Sequence, residues 1–310
     1  MNANTQMTPV GIGSEWSPQW LLTPAQKALQ ADLIALCETT LRPNAIESDK
    51  KYIYPRKNFE ALASMGLLSL TIPKELGGRG ESHVCAAMVV ETIARYGCPS
   101  TAMCYTMHLG ACAAALLRHH DNERLKDILR RVDKDVLIGT LSYSDPETGS
   151  HFWYPMSSRA ERTDSGWKVF KKASWTTSGG FADWYIIQTT SPDFGGDDSN
   201  LSCFLVTKDQ IHADPANWDG LGMRGNQSGP ISVDGVDIAP DALVGPSATA
   251  PSPTTRWLIP SSWCARRPAG TASASPPWTS PRTTPPARCT TTWACAWPTT
   301  RPSRTTWASA

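Results

Sequence analysis

The sequence predicts an α+β protein: an N-terminal α-helical domain, then a middle β-barrel or sandwich domain, then a stretch with no regular structure. Three observations predict it. Apolar residues recur at helical spacing from Pro24 to Val132; from Val136 they fall into short, β-prone runs parted by Asp, Gly, Ser and Pro; beyond Ser247 no period survives. Helices that come first as a block, without alternating with strands, argue against a doubly wound nucleotide fold. The boundaries drawn are a flexible N-terminus at 1–20, a helical domain at 21–135, a β domain at 136–245 and an irregular tail at 246–310.

Thr23-Pro24 opens the first helix, a hydroxyl N-cap followed by proline in the first turn. Ala28, Leu29, Leu33, Ile34 and Leu36 carry its apolar face, and the helix is expected to end near Leu41. A second helix is expected over Lys57 to Met65, with Gly66 as its left-handed stop. Leu67 to Gly80 is an apolar segment running into glycines; without a Walker lysine after them it reads as a structural turn rather than a phosphate loop. Ser82 to Tyr96 and Ser100 to Leu117 are apolar on more than one face, which predicts buried helices. Met103, Cys104, Met107 and His108 on the latter read as packing rather than as a copper or haem site. An amphipathic helix follows, with Leu125, Ile128, Leu129 and Val132 on its inner face. Strands are predicted at Val136–Tyr143, Ser158–Glu161, Trp167–Phe170, Tyr185–Thr189, Leu201–Val206, Ile211–Ala213 and Ile231–Val236.

The charge balance hides two unlike segments. The formal net charge is +1, yet no acidic residue follows Asp241 and no lysine follows Lys208, while seven arginines lie between Arg256 and Arg304. Without those arginines the chain would carry −6, so a nucleic-acid reading would rest on the tail alone and no nucleic-acid partner is expected. No apolar run of about twenty residues appears, and no basic region precedes an apolar core at the N-terminus, so a cytoplasmic protein without a membrane span is expected. The nine cysteines form no C-x-x-C pair, and several sit in apolar helical patterns. Reduced, buried thiols are expected.

Two strand ends carry the chemistry. The first reads Leu141-Ser142-Tyr143-Ser144-Asp145-Pro146-Glu147-Thr148-Gly149-Ser150-His151, the second Trp175-Thr176-Thr177-Ser178-Gly179-Gly180-Phe181-Ala182-Asp183-Trp184. Each is a β-prone run that breaks into hydroxyl and glycine residues, which is how a strand ends in a loop whose amides and hydroxyls face a ligand. Taken singly, Trp175 also fits a core tryptophan, Thr177 a turn residue, and Ser144 and Ser150 ordinary loop positions. Further on, Gly220-Leu221-Gly222-Met223-Arg224-Gly225-Asn226-Gln227-Ser228-Gly229 offers Arg224 either as a contact to an acidic group or as a surface turn arginine.

The wording and separation of these pieces resemble the middle domain of the acyl-CoA dehydrogenase superfamily, over about Tyr54 to Gly245. The resemblance implies FAD-dependent α,β-dehydrogenation of an acyl-CoA thioester, with FMN as cofactor if a flavin-dependent monooxygenase of the same fold is the better match. It implies that Tyr143 and Ser144 meet the flavin pyrimidine edge, that Thr177 hydrogen-bonds near N5 and that Trp175 packs on the ring face away from substrate. Ser150 would lie by the thioester or pantetheine, with His151 beside it. An electron-transfer flavoprotein as acceptor and a homo-oligomer are implied as partners. The chain departs from the family pattern at Ser144-Asp145-Pro146, where Thr-Glu-Pro is usual, and at His151, where an aspartate is usual. The first change keeps the chemistry; the second alters the substrate side.

From Ser247 the chain is mostly Thr, Pro, Ala, Ser, Arg and Trp, a composition that predicts a disordered tail, yet six of the 13 tryptophans fall there. A lost reading frame accounts for both features. In the shifted frame Trp257 to Ala265 is compatible with Val-Val-Asp-Pro-Phe-Phe-Leu-Val-Cys, which resembles the entry to the superfamily's C-terminal helical domain. That domain is therefore expected to be missing, and with it the glutamate that removes the substrate's α-proton. No glutamate follows Glu161, so no residue is assigned as general base. A truncated, non-enzymatic remnant is the third reading. Re-sequencing the codons for Asp241 to Trp257 is expected to reveal one or two miscounted bases; an unchanged reading would leave the tail a genuine feature of this chain.

Overall fold

A computed structural model describes residues 21–147, 157–192, 194 and 201–244. The expectations placed on the N-terminus and on the tail beyond 244 lie outside the described residues. Helix α1, Pro24–Leu36, starts at a reciprocal cap: Thr23 Oγ1 accepts the Gln26 N–H at 3.2 Å, and Gln26 Oε1 accepts the Thr23 N–H at 3.1 Å. It does not end near Leu41. A single π-helical turn, Cys37–Leu41, carries the chain directly into α2, Arg42–Lys51. Pro43 stands just past that point, and proline lacks an N–H and clashes with the carbonyl four residues back. The wider turn, with the Arg42 N–H bonded to the Cys37 carbonyl, lets the helix pass through that proline.

Helix α3, Arg56–Ser64, stops at Gly66, whose φ of 66° is left-handed as expected. The segment after it is a buried turn: Leu67, Leu68, Leu70 and Ile72 are fully covered, and the Asp133 carboxylate accepts the N–H groups of Leu68 and Ser69. Helices α4, His83–Tyr96, and α6, Glu123–Arg131, begin at Ser82 and Asn122, whose side chains accept the Cys85 and Leu125 N–H groups. Helix α5, Pro99–Leu116, is buried on several faces, as its composition requires. The six described cysteines are free and buried.

Seven strands follow: β1 Gly139–Ser142, β2 Arg159–Thr163, β3 Gly166–Ala173, β4 Trp184–Thr190, β5 Leu201–Thr207, β6 His212–Ala213 and β7 Ile231–Ile238. They join one curled, mixed sheet in the order β1-β4-β2-β3-β7-β6, with β5 antiparallel on β4. β1 pairs with β4 in parallel from Gly139↔Trp184 to Ser142↔Ile187, and β2 meets the end of β4 at Arg159↔Thr190. Every residue of β4 is buried, which is why its sequence is a continuous run and not an alternation.

Helices and sheet share one apolar core. At the seam the His108 Nε2 lies 2.9 Å from the Leu68 carbonyl, and its Nδ1 accepts the Gly139 N–H at 3.0 Å. The second bond fixes a neutral ring, protonated on Nε2 and donating to Leu68. Arg56 adds a second tie, with Nη1 2.7 Å from Asp183 and Nη2 donating to the Val136 carbonyl; the same Asp183 oxygen accepts the Ile138 N–H.

Burial lowers the His108 pKa below its ordinary 6.5. The unfolded chain therefore binds the extra proton more readily, so this group's stabilisation is present above pH 6.5 and is lost as pH falls through the folded value. His108→Leu orphans two buried backbone groups and is expected to cost roughly 2–4 kcal/mol and to flatten that part of the acid loss. Urea midpoints between pH 7 and 5 check it; a variant that loses stability with acid as steeply as wild type would contradict the assignment.

Candidate functional site

β1 leaves the sheet at Ser142 and the first loop begins. Its backbone is held from beneath by Lys171 of β3, which is 1% exposed and donates to the Ser144 carbonyl at 2.8 Å and the Tyr143 carbonyl at 3.2 Å. Burial drives the Lys171 ammonium down to about 8, against the opposing pull of Asp145. Asp145, equally buried, accepts from Ser158 Oγ at 2.6 Å, Ser158 N–H at 3.1 Å, Ser157 Oγ at 3.1 Å and Glu147 N–H at 3.2 Å. Burial alone would raise its carboxyl, but these donors and the Lys171 charge outweigh it and hold the group below the usual carboxylate value.

The second loop crosses the first. Ser144 Oγ donates to the Trp175 carbonyl at 3.4 Å, Ser142 Oγ and Thr176 Oγ1 are 3.1 Å apart, and Thr140 Oγ1 donates to the Thr177 carbonyl at 2.7 Å. Thr177 Oγ1 lies 3.0 Å from Ser228 Oγ, which places a pair of hydroxyls at this junction. Trp175 is 58% exposed with Trp218 edge-on to it at 5.8 Å, so it is not the core tryptophan its type alone allows. Ser178 takes a left-handed φ of 63° and is held by Tyr54, whose hydroxyl donates to Ser178 Oγ at 3.1 Å.

The structure brings Tyr143, Ser144, Trp175 and Thr177 together; Ser150 and His151 lie outside the described residues. Arg224 does meet an acidic group, the Asp49 carboxylate of α2 at 2.6 Å, and its backbone N–H meets the same carboxylate at 2.9 Å. Among the described residues no three side chains gather as a metal site. Lys171 escaped the sequence reading because the expected strand stopped at Phe170, short of it, whereas β3 runs on to Ala173. The signal was parity: Trp167, Val169, Lys171 and Ala173 share the covered face of β3.

Residues 23–133 match the acyl-CoA dehydrogenase N-terminal domain. The probable acyl-CoA dehydrogenase FadE25 of Mycobacterium leprae is 27% identical over 224 residues, 71% of this chain and 56% of that protein. The helical part of the chain is thus an acyl-CoA dehydrogenase N-terminal domain, and the similarity to that superfamily extends beyond it. A second relative, the 3-sulfinopropanoyl-CoA desulfinase of Variovorax paradoxus, is 30% identical over 191 residues, 61% of this chain and 46% of its own length. The chain thus spans about half the length of the curated relatives it matches. Two solved structures share the fold. A probable acyl-CoA dehydrogenase from Mycobacterium abscessus aligns with a TM-score of 0.66 at 24% identity, covering 73% of this chain and 59% of that one. A glutaryl-coenzyme A dehydrogenase in complex with glutaryl-CoA aligns at 0.68 and 22% identity, covering 78% and 60%. No described helix is long and apolar enough to cross a membrane.

Asp145→Ala removes the acceptor for four donors, two of them backbone amides. Unfolding free energy is expected to fall by roughly 2–3 kcal/mol. Proteolysis should then favour the 143–147 loop, whereas an unchanged denaturation midpoint would mean that the loop does not depend on this carboxylate.

Proposed function

We propose that this chain carries the flavin-holding part of an acyl-CoA dehydrogenase-type site, and that FAD-dependent α,β-dehydrogenation of an acyl-CoA thioester is the activity of the lineage. The observation that carries the reading is the junction of the two strand-end loops through Ser144 and Trp175, with an exposed indole and the Thr177–Ser228 hydroxyl pair beside it. These residues fit a flavin, which needs an apolar face for its ring and hydrogen-bonding groups for N5 and the pyrimidine edge. Tyr143 and Ser144 would hold the pyrimidine edge, Thr177 would stand near N5, and Trp175 would cover one ring face. Bound flavin would supply the two-electron acceptor chemistry that none of these side chains has. Ser150 would serve the thioester or pantetheine, with His151 on the substrate side.

Proton removal needs a carboxylate over the substrate's α-carbon. Four described acids are otherwise engaged: Asp145 in the core, Asp183 with Arg56, Asp49 with Arg224, and Asp219 accepting from the Tyr52 hydroxyl at 2.9 Å. With no glutamate beyond Glu161, the reading includes flavin binding with impaired turnover. That same feature favours, as second reading, a flavin-dependent monooxygenase of this fold using FMN, which needs no such base, or a remnant that is no enzyme. An electron-transfer flavoprotein as acceptor, assembly with further copies and a cytoplasmic location belong to the dehydrogenase reading.

The test is titration of the chain with FAD and with FMN, followed by flavin fluorescence. FAD is expected to bind more tightly than FMN, and Thr177→Ala and Trp175→Ala are each expected to weaken FAD by about tenfold, roughly 1.4 kcal/mol. Tighter binding of FMN would favour the monooxygenase, and affinity untouched by both substitutions would locate the flavin elsewhere.

A further inference from the structure

Lys171 has no part in the chemistry above, yet its position is expensive. An ammonium taken into a core costs several kcal/mol unless its bonds are met, and a methionine would fill the same volume without that cost. Here the bonds are met by two successive carbonyls of the first loop, those of Tyr143 and Ser144. A peptide group is planar and trans, so a carbonyl drawn inward turns the N–H of the same peptide the opposite way. The Tyr143 carbonyl thus orients the Ser144 N–H, and the Ser144 carbonyl orients the next peptide plane. One side chain fixes both peptide groups at the end of β1.

We infer that Lys171 is a positioning residue, whose ammonium holds the Tyr143–Ser144 backbone in the orientation that receives a flavin, so that flavin affinity follows the protonation of this one side chain. The inference rests on the flavin reading of the site. Two titratable groups face Lys171: Asp145 from the loop after β1 and Cys203 from β5; across β7 its register partner is the apolar Val233. Cys203 is pushed up to about 12 and stays a thiol, while Asp145 is held below its usual value and stays charged. Of the three, Lys171 is the one that titrates near neutrality, at about 8. Its cation is present below that pH and lost above it, so affinity is full on the acid side and falls as pH rises through about 8.

The experiment titrates the full chain with FAD at several pH values from about 7 to about 9, for wild type, Lys171→Gln, Lys171→Met and Thr177→Ala, with circular dichroism to confirm folding. Wild-type Kd is expected to rise about tenfold across that range, as one linked proton requires. Lys171→Gln and Lys171→Met are expected to bind weakly with a flat profile, while Thr177→Ala binds weakly but keeps the wild-type slope. A flat wild-type profile, or a folded Lys171→Gln that keeps wild-type affinity, overturns the positioning role and leaves the flavin reading intact. Wild type that takes up no FAD at any pH overturns the flavin reading itself. Should both Lys171 variants unfold, the slopes of wild type and Thr177→Ala decide.

Discussion

β1 is four residues long, and all four are buried between α5 and the rest of the sheet. Such a strand cannot leave its first N–H unpaired in a dry seam. His108 resolves this by taking the Gly139 N–H on one ring nitrogen and giving a proton to Leu68 from the other. A neutral imidazole thereby ties the helical layer to the sheet, beside the tie that Arg56 makes to Asp183. Close packing follows from the same point, because a Cβ at Gly139 would stand 2.3 Å from the Trp184 ring. β1 then hands the chain to Ser142 and Tyr143 at a fixed height, and the first loop begins where the second can cross it.

The loops themselves are held by charge placed where charge is costly. Asp145 and Lys171 both lie in the interior, and each is satisfied mainly by neutral groups: serine hydroxyls and amides for the acid, carbonyls for the base. An apolar pair of the same volume would pack there at less cost. What it could not do is orient backbone, since only hydrogen bonds turn peptide planes. On the second loop, the Thr140 hydroxyl holds the Thr177 carbonyl, while Ser142 and Ser228 bond the hydroxyls of Thr176 and Thr177.

Local signals in the sequence were readable, and the fold follows from them. The cap at Thr23 and the glycine stop at Gly66 stand where residue type put them, and each of the seven expected runs overlaps a strand. The expected end near Leu41 was not found for a physical reason, because the helix passes Pro43 by one wider turn that leaves no mark in composition. At the site, the two strand ends and their hydroxyls were legible, while Arg224 stood open between an acidic contact and a surface turn. That the partner is Asp49, that Lys171 points inward and that His108 bridges two backbones depend on contacts between residues far apart in the chain, or on the parity of one strand. Nothing in local pattern fixes such pairings.

The π-helical turn at Cys37–Leu41 also sets an angle. One extra residue advances a helix by about 100° around its axis. Leu29, Leu33, Cys37 and Leu41 stay on the core, while beyond the turn Ser48 and Asp49 swing towards the Gly220–Gly229 segment, close enough that a Cβ at Gly225 would stand 1.9 Å from Ser48 Oγ. The turn therefore works as a phase adjuster. A helix shorter by that one residue would keep its hydrophobic face but present the Arg224 partner about a quarter-turn away, so chain length here is constrained by rotation rather than by reach.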